Sequence, residues 1–287
     1  MAVIPIKSLV FLSEVYFNKF GYDRHPILQE EVSEALSLVV VIPCFNEPDV
    51  LDSLQALEDC DNPDGDVEVI VVVNCSEKAD EETKTFQEKT YQEILEFNQQ
   101  SKRNFYPILR TNLPKKHAGV GLARKIGMDE AAFRLEKSLS ETKIIVCFDA
   151  DSSCDKNYLL AISKAFHQNK KVTGASIHYE HPLEFSNAFP YNEEVFQGII
   201  NYELFLRYYN LAFHYMKLPY AYHTVGSSMA CTSNSYMKQG GMNKRKAGED
   251  FYFIHKVIAL GNFLEINNTR VIPSPRISDR VPFGTGK

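Results

Sequence analysis

The chain has 287 residues, 44% hydrophobic and 24% charged, with 31 Lys plus Arg against 37 Asp plus Glu and a formal net charge of −6. This excludes a disordered chain and suits one large domain or two fused halves; the acidic balance also argues against nucleic acid as a partner, so any phosphate affinity must be local. No apolar run reaches the roughly 18 residues of a membrane span, and residues 2–17, broken by Pro5, Lys7, Ser13 and Glu14, read neither as a span nor as a signal peptide.

After a mixed N-terminal extension (1–36), Leu36 to Phe45 reads LSLVVVIPCF, the continuous β-branched pattern of a strand buried on both faces, with Pro43 marking its end. A second run, Val67 to Val73, ends at Asn74, and a third, Lys143 to Phe148, ends at Asp149-Ala150-Asp151. Long helical patterns lie between them, so the order predicted is βαβαβ: an α/β fold with a mostly parallel central sheet flanked by helices. Ligands of such sheets bind at the carboxyl ends of the strands. Asn46, Glu47, Asn74, Asp149 and Asp151 all fall there.

Ser76 to Glu96 reads as a solvated helix. From Phe97 to Met128 there is no Asp or Glu, while Lys102, Arg103, Arg110, Lys115, Lys116, Arg124 and Lys125 accumulate, which predicts an anion site. A helix from Glu193 to Leu218 carries Phe196, Tyr202, Phe205, Tyr208, Tyr209, Phe213 and Tyr215; such spacing predicts a core or subunit interface, with an acceptor-binding platform as the lesser reading. The cysteines at 44, 60, 75, 147, 154 and 231 form no CxxC pair, and four sit in or beside strand-like runs. Buried free thiols in a reducing, cytoplasmic compartment are expected. Peripheral association with the inner face of a membrane stays open, and the abrupt end at Phe283-Gly-Thr-Gly-Lys287 leaves room for a longer natural chain.

Two carboxylates one residue apart at a strand end, Asp149 and Asp151, can both turn toward one hard cation carrying a diphosphate, and Mn²⁺ or Mg²⁺ suits that role. Other segments extend this. Val40 to Glu47, VVIPCFNE, resembles the opening strand of family 2 glycosyltransferases of the GT-A fold. Gly121-Leu-Ala-Arg124-Lys-Ile-Gly127 resembles that family's glycine, alanine and arginine element, and Cys147-Phe-Asp-Ala-Asp-Ser152 its DxD strand. Gly226-Ser-Ser-Met-Ala230, followed by Gly240-Gly241 and Gly248-Glu249-Asp250, resembles the acceptor-side block ending in the ED motif. The resemblance covers roughly residues 37–266, with the motifs in the family's order.

The resemblance implies a nucleotide-sugar-binding half (37–152) fused to an acceptor-binding half (153–269), then a tail (270–287) able to act as a lid. It implies inverting transfer of a sugar from a nucleotide diphosphate donor, a UDP- or GDP-sugar, to a hydroxyl of a saccharide or lipid-linked acceptor. Pro43, Phe45, Glu47, Asn74, Arg124 and Asp149 would bind the nucleotide, Asp151 with Asp149 the metal. Asp250 would be the catalytic base and Glu249 would position the acceptor. The chain departs from the family pattern in places. The second strand ends Val73-Asn74-Cys75-Ser76 instead of in aspartates, Lys125 replaces an Asn, and no QxxRW element follows the ED motif, which argues against a processive polysaccharide synthase. The chain instead offers Arg276 and Arg280 in a Pro- and Gly-containing tail suited to closing over a diphosphate.

Three other readings are weaker. Gly119-Val-Gly121-Leu-Ala-Arg124 lacks the third glycine of a dinucleotide loop and does not follow the first strand. A nucleotidyltransferase would carry a glycine-rich, arginine-containing loop where this chain has Pro43-Cys-Phe-Asn-Glu-Pro48. A catalytically silent nucleotide-sugar-binding subunit would have no need of an intact metal motif and base. His223 and His255 read as structural, and Lys115-Lys116-His117 equally as an exposed turn or an anion contact.

Overall fold

The computed structural model describes residues 7–186 and 190–276. The elements run α1 (Lys7–Lys19), β1 (Leu36–Cys44), α2 (Val50–Glu58), β2 (Asp66–Ser76), α3 (Glu81–Gln100), β3 (Asn104–Leu113), α4 (Val120–Lys137) and β4 (Ile144–Cys147). They continue through β5 (Ser153–Cys154), α5 (Tyr158–Gln168), β6 (Gly174–Tyr179), α6 (Glu193–Tyr215), β7 (Met229–Thr232), α7 (Ser233–Lys238), α8 (Glu249–Ile258) and β8 (Phe263–Ile272). All eight strands join one sheet in the order β3-β2-β1-β4-β7-β6-β8-β5. β2, β1 and β4 pair in parallel, as do β2 with β3 and β6 with β8, while β7 runs antiparallel to β4 and β6.

The three strands expected from sequence are β1, β2 and β4, and both faces of each are covered. Val40, Ile42, Val71 and Val146 point into a core shared with Leu54 of α2 and Leu159 of α5. Val39, Val41, Val72 and Ile145 point to the other side, against Leu122 and Ile126 of α4 and Phe253 of α8. β3 was not anticipated. It is an edge strand, where Pro107 removes no needed ladder donor, and its mixed composition hides the strand pattern. β5 to β8 extend the same sheet, so the two halves share it, and β8 runs to Ile272, past the expected boundary at 269/270.

The extension before β1 is integral to the fold. α4 is buried on nearly all sides, including Lys125, Asp129, Glu130 and Arg134, and the extension supplies their partners. Asp129 Oδ1 accepts from the hydroxyls of Tyr16 and Tyr236, both at 2.6 Å, its Oδ2 from the Tyr22 backbone N–H at 2.8 Å, and it pairs with Lys125 at 3.1 Å. Glu130 accepts from the N–H groups of Ile27 (2.7 Å) and Leu28 (3.3 Å). Arg134 pairs with Glu68 and donates to the carbonyls of Glu30 and Glu31. A buried charge is tolerated only when such contacts replace water.

Cysteines 44, 60, 75, 147 and 231 are buried, as expected, and Cys154 is half-buried. Of the readings expected for α6, a core role holds only for its first part. Phe196, Ile199 and Glu203 are buried, but the aromatics beyond Glu203 are largely exposed.

Asp129→Ala removes four contacts at once and leaves the Lys125 ammonium buried without its carboxylate, so stability to urea should fall by about 3–5 kcal/mol, the cost of breaking a buried ion pair.

Candidate active site

The sheet order puts β1 between β2 and β4, and the chain leaves β1 to one side and β4 to the other. This is a topological switch point, where a crevice opens beyond the carboxyl ends of the strands. β1 delivers Glu47 there through a turn in which Asn46 adopts φ 50°; the Asn46 side chain is held by Gln87 Nε2 at 3.0 Å. β4 delivers Asp149 and Asp151, about one third exposed at 35% and 29%. β7 brings Gly226 to Ser228 alongside, since Met229 pairs with Cys147.

Arg124 joins the end of β4 to the start of α8. Its side chain is 3% exposed, with one guanidinium nitrogen on Asp149 and the other on Glu249. A side chain on Gly226 would collide with this guanidinium, so glycine there makes room for it. Glu249 opens α8, where a carboxylate is favoured by the helix dipole, and Gly248 before it has φ 68°, a backbone conformation that favours glycine. Asp250 is half-buried and its Oδ1 accepts the Phe251 N–H at 2.7 Å. Burial pushes the carboxyls of Glu249 and Asp250 above their ordinary range, with Arg124 pulling both back.

Arg276 closes the other side. Its Nη2 lies 2.5 and 2.7 Å from the carboxylate oxygens of Glu47 and 2.8 Å from Asp151. The tail therefore reaches the site; Arg280 lies outside the described residues. Asn74, at the end of β2, is 3% exposed, and its Oδ1 is a buried acceptor with no hydrogen-bond partner among the described residues. Pro43 is half-buried and Phe45 is 37% exposed at the end of β1.

The acid-free stretch does not assemble into one anion site. Arg103 donates to the carbonyls of Leu57 and Cys60, Arg110 pairs with Asp23 at 3.3 Å, and Lys125 serves Asp129. Lys115 and Lys116 occupy an exposed turn. His223 packs edge-on against Tyr179, its pKa pushed down to about 4 by burial and by Arg207; His255 stacks on Tyr220 and touches Phe251.

Residues 39–216 match the family model of glycosyl transferase family 2. The chain belongs to glycosyl transferase family 2. Among solved structures it is similar to residues 1–349 of S. aureus TarS, with 16% identity and a TM-score of 0.50, over 83% of this chain and 60% of that one. The TarS complex with UDP-GlcNAc aligns with a TM-score of 0.48 and 15% identity, over 85% and 60% of the two chains. The mannosyltransferase PcManGT of Pyrobaculum calidifontis, in complex with GDP-Man and Mn²⁺, aligns with a TM-score of 0.47 and 15% identity, over 95% of this chain and 65% of that one. The chain thus spans less than two thirds of each of these proteins. No curated protein matches it. The GT-A fold expected from the motifs is the fold observed.

Sequence reasoning missed the Arg124–Glu249 bridge. The acid-free stretch around Arg124 carried no sign that its partners lie 25 and 125 residues away.

Arg124→Met leaves Glu249 buried without its cation and should cost about 3 kcal/mol in urea unfolding. Gly226→Ala should be destabilising in the parent and much less so in Arg124→Met, because both act on one guanidinium; a double-mutant cycle measures this coupling.

Proposed function

We propose that the protein transfers a glycosyl group from a UDP- or GDP-sugar to an acceptor hydroxyl with inversion at the anomeric carbon. The observation that carries this reading is the convergence at one switch point of Glu47, Asp149 and Asp151 with the Glu249-Asp250 pair, joined through Arg124.

The residues fit a hard divalent cation. Among the described residues no group of three or more His, Cys, Asp or Glu could hold an ion by itself, so this chain would offer Asp151 and Asp149. Mn²⁺ or Mg²⁺ held by one or two carboxylates takes its remaining ligands from water and substrate phosphate. A guanidinium already rests on Asp151, so that carboxylate is aimed where positive charge is wanted. Once bound, the ion supplies charge neutralisation on the departing diphosphate.

The chain's own groups would do the rest. The acceptor oxygen attacks the anomeric carbon as the bond to the diphosphate breaks, and the hydroxyl proton passes to Asp250. Burial makes Asp250 a stronger base than an exposed carboxylate. Glu249, fixed by Arg124, would orient the acceptor. Arg276 would turn from Glu47 and Asp151 to the diphosphate as the tail closes. The unpartnered Asn74 Oδ1 would accept an N–H from the base edge, with Phe45 and Pro43 as apolar surface beside it. No described helix is long and apolar enough to cross a membrane.

Asp250→Asn keeps shape and should preserve donor binding and melting temperature, while transfer falls by about 10²- to 10⁴-fold, the usual loss of a general base. The base acts deprotonated and its pKa is raised, so kcat/KM in the parent should fall on acidification starting above the ordinary carboxylate range; near-parental turnover of the variant would overturn the assignment. Asp151→Ala should abolish the metal-dependent part of nucleotide binding, read by Mn²⁺ paramagnetic resonance and by thermal shift with UDP and GDP.

A further inference from the structure

Two thiols from distant parts of the chain meet beside the turn that carries Asp149 and Asp151. Cys60 follows the end of α2, Cys154 lies in β5 three residues after Asp151, and their Sγ atoms are 3.6 Å apart. The backbone around them is held on every side. The Asp61 N–H donates to the Lys156 carbonyl at 2.7 Å and the Asp155 N–H to that of Arg270 at 3.1 Å, while Cys154 pairs with Val271 of β8. At the start of the turn the Ser53 hydroxyl of α2 donates to the Ala150 carbonyl at 2.9 Å. α2, the aspartate turn and β8 therefore meet around this sulfur pair.

The two thiols are not equivalent. A hydrogen bond from the Cys154 thiol holds Cys60 below the ordinary thiol range against its burial, helped by Arg103, which donates to the Cys60 carbonyl. The same hydrogen bond, together with burial, pushes Cys154 up. Cys60 is thus the sulfur suited to attack and Cys154 the one suited to resolve. Cys60 is 5% exposed, but Cys154 is half-buried, and Asp61 and Lys156 next to the pair are 45% and 78% exposed. The pair lies just beneath the surface, within reach of a small oxidant. Cys147 and Cys231 differ: both are 1% exposed, and burial raises both thiols.

We propose that Cys60 and Cys154 are a redox pair that hydrogen peroxide closes into an intrachain disulfide, stapling α2 to β5 next to the Asp149–Asp151 turn. The Cys60 sulfur, its proton lost, attacks one peroxide oxygen; the O–O bond breaks, the leaving hydroxide takes up a proton as water, and Cys60 becomes a sulfenic acid. Cys154 then gives up its proton and its sulfur attacks that of Cys60; the S–O bond breaks and the second hydroxide leaves as water. Two thiols are oxidised to one disulfide, and one peroxide is reduced to two waters. The sulfurs must close from 3.6 Å to about 2.05 Å, which side-chain rotation and a small shift of β5 supply. Where thiols are kept reduced such a bond is transient and serves to sense oxidant. Any bearing of the staple on donor binding rests on the glycosyl-transfer reading; the disulfide does not.

The test treats the reduced full chain with hydrogen peroxide, blocks the remaining thiols, and maps peptides by mass spectrometry without reductant. The Cys60 peptide should appear joined to the Cys154 peptide, two hydrogens lighter than their sum, and dithiothreitol should separate them. Because the bond closes a long loop of the unfolded chain, the oxidised protein should melt about 5 °C or more above the reduced one. Amide hydrogen exchange at residues 153–155 should slow with it. Cys154→Ser, altering the more exposed of the two, should show neither effect, and Cys60→Ser should form no cross-link. Oxidation without a Cys60–Cys154 link, a link to another cysteine instead, or a cross-linked protein whose melting and exchange both match the reduced protein would overturn the proposal. Thermal shift of the reduced protein by UDP or GDP with Mn²⁺ reports on the glycosyl-transfer reading separately, so failure of either is visible by itself.

Discussion

One buried guanidinium ties the two ends of the strand-end crevice together. Arg124 takes Asp149 from the end of β4 and Glu249 from the start of α8, so a donor-side and an acceptor-side motif about 100 residues apart share one cation. Taking Arg124 and Glu249 out of water is costly, and the cost is recovered only if the geometry is held. Several features answer to this constraint. Gly226 is bare where the guanidinium lies, β7 is paired beside β4 so that this glycine reaches it, and α4 is buried deeply enough to bring Arg124 under the sheet's carboxyl edge. Two of the motifs that resemble one family, the strand-end Asp149-Ala-Asp151 and the Glu249-Asp250 pair, thus meet on one guanidinium.

The same logic explains why α4 carries so much buried charge. Asp129, Glu130 and Arg134 face a segment that has little regular structure after α1, and backbone N–H and carbonyl groups of that segment satisfy them, while Lys125 meets the Tyr16 hydroxyl and Asp129. Irregular backbone must place its polar groups somewhere, and a charged helix face accepts both donors and acceptors. The N-terminal extension is therefore fastened to α4 by polar contacts as well as by the apolar packing of Tyr16 and Phe17.

What the sequence made legible, and what it did not, follows from the same physics. β1, β2 and β4 could be read because a parallel strand covered on both faces must be apolar throughout, and their ends pointed to Glu47, Asn74, Asp149 and Asp151. β3, an edge strand with Pro107 and Arg110, and β6, opening on Gly174-Ala175-Ser176, lack that signature. Counting charge along the chain predicted an anion site at 97–128, yet Arg103, Arg110 and Lys125 each meet partners from elsewhere in the fold. The aromatic spacing of α6 is the same whether the face lies against a core or stands exposed, and periodicity alone does not separate the two. Arg276 was legible as a tail residue with a phosphate-seeking charge, but its contact with Glu47 and Asp151 crosses the whole length of the domain.

The charge in the crevice bears on how a donor would enter it. Glu47, Asp149, Asp151, Glu249 and Asp250 converge there, and among the described residues two guanidiniums, those of Arg124 and Arg276, are paired with four of them. Burial raising the pKa of Glu249 and Asp250 eases the crowding without removing it. A nucleoside diphosphate brings further negative charge to a place where carboxylates already outnumber the guanidiniums paired with them, so it can settle only with added positive charge. Arg124 is committed to two carboxylates and buried, which makes it a poor hand for the diphosphate. Arg276, at 23% exposure, is the less buried of the two guanidiniums: turning it toward a diphosphate would uncover Asp151 and Glu47, and a divalent cation on Asp151 would replace the charge withdrawn. In the proposed transfer the tail arginine and a divalent cation would thus act in sequence on the same carboxylate, so that reading calls for both a strand-end aspartate and a cation from the far end of the chain.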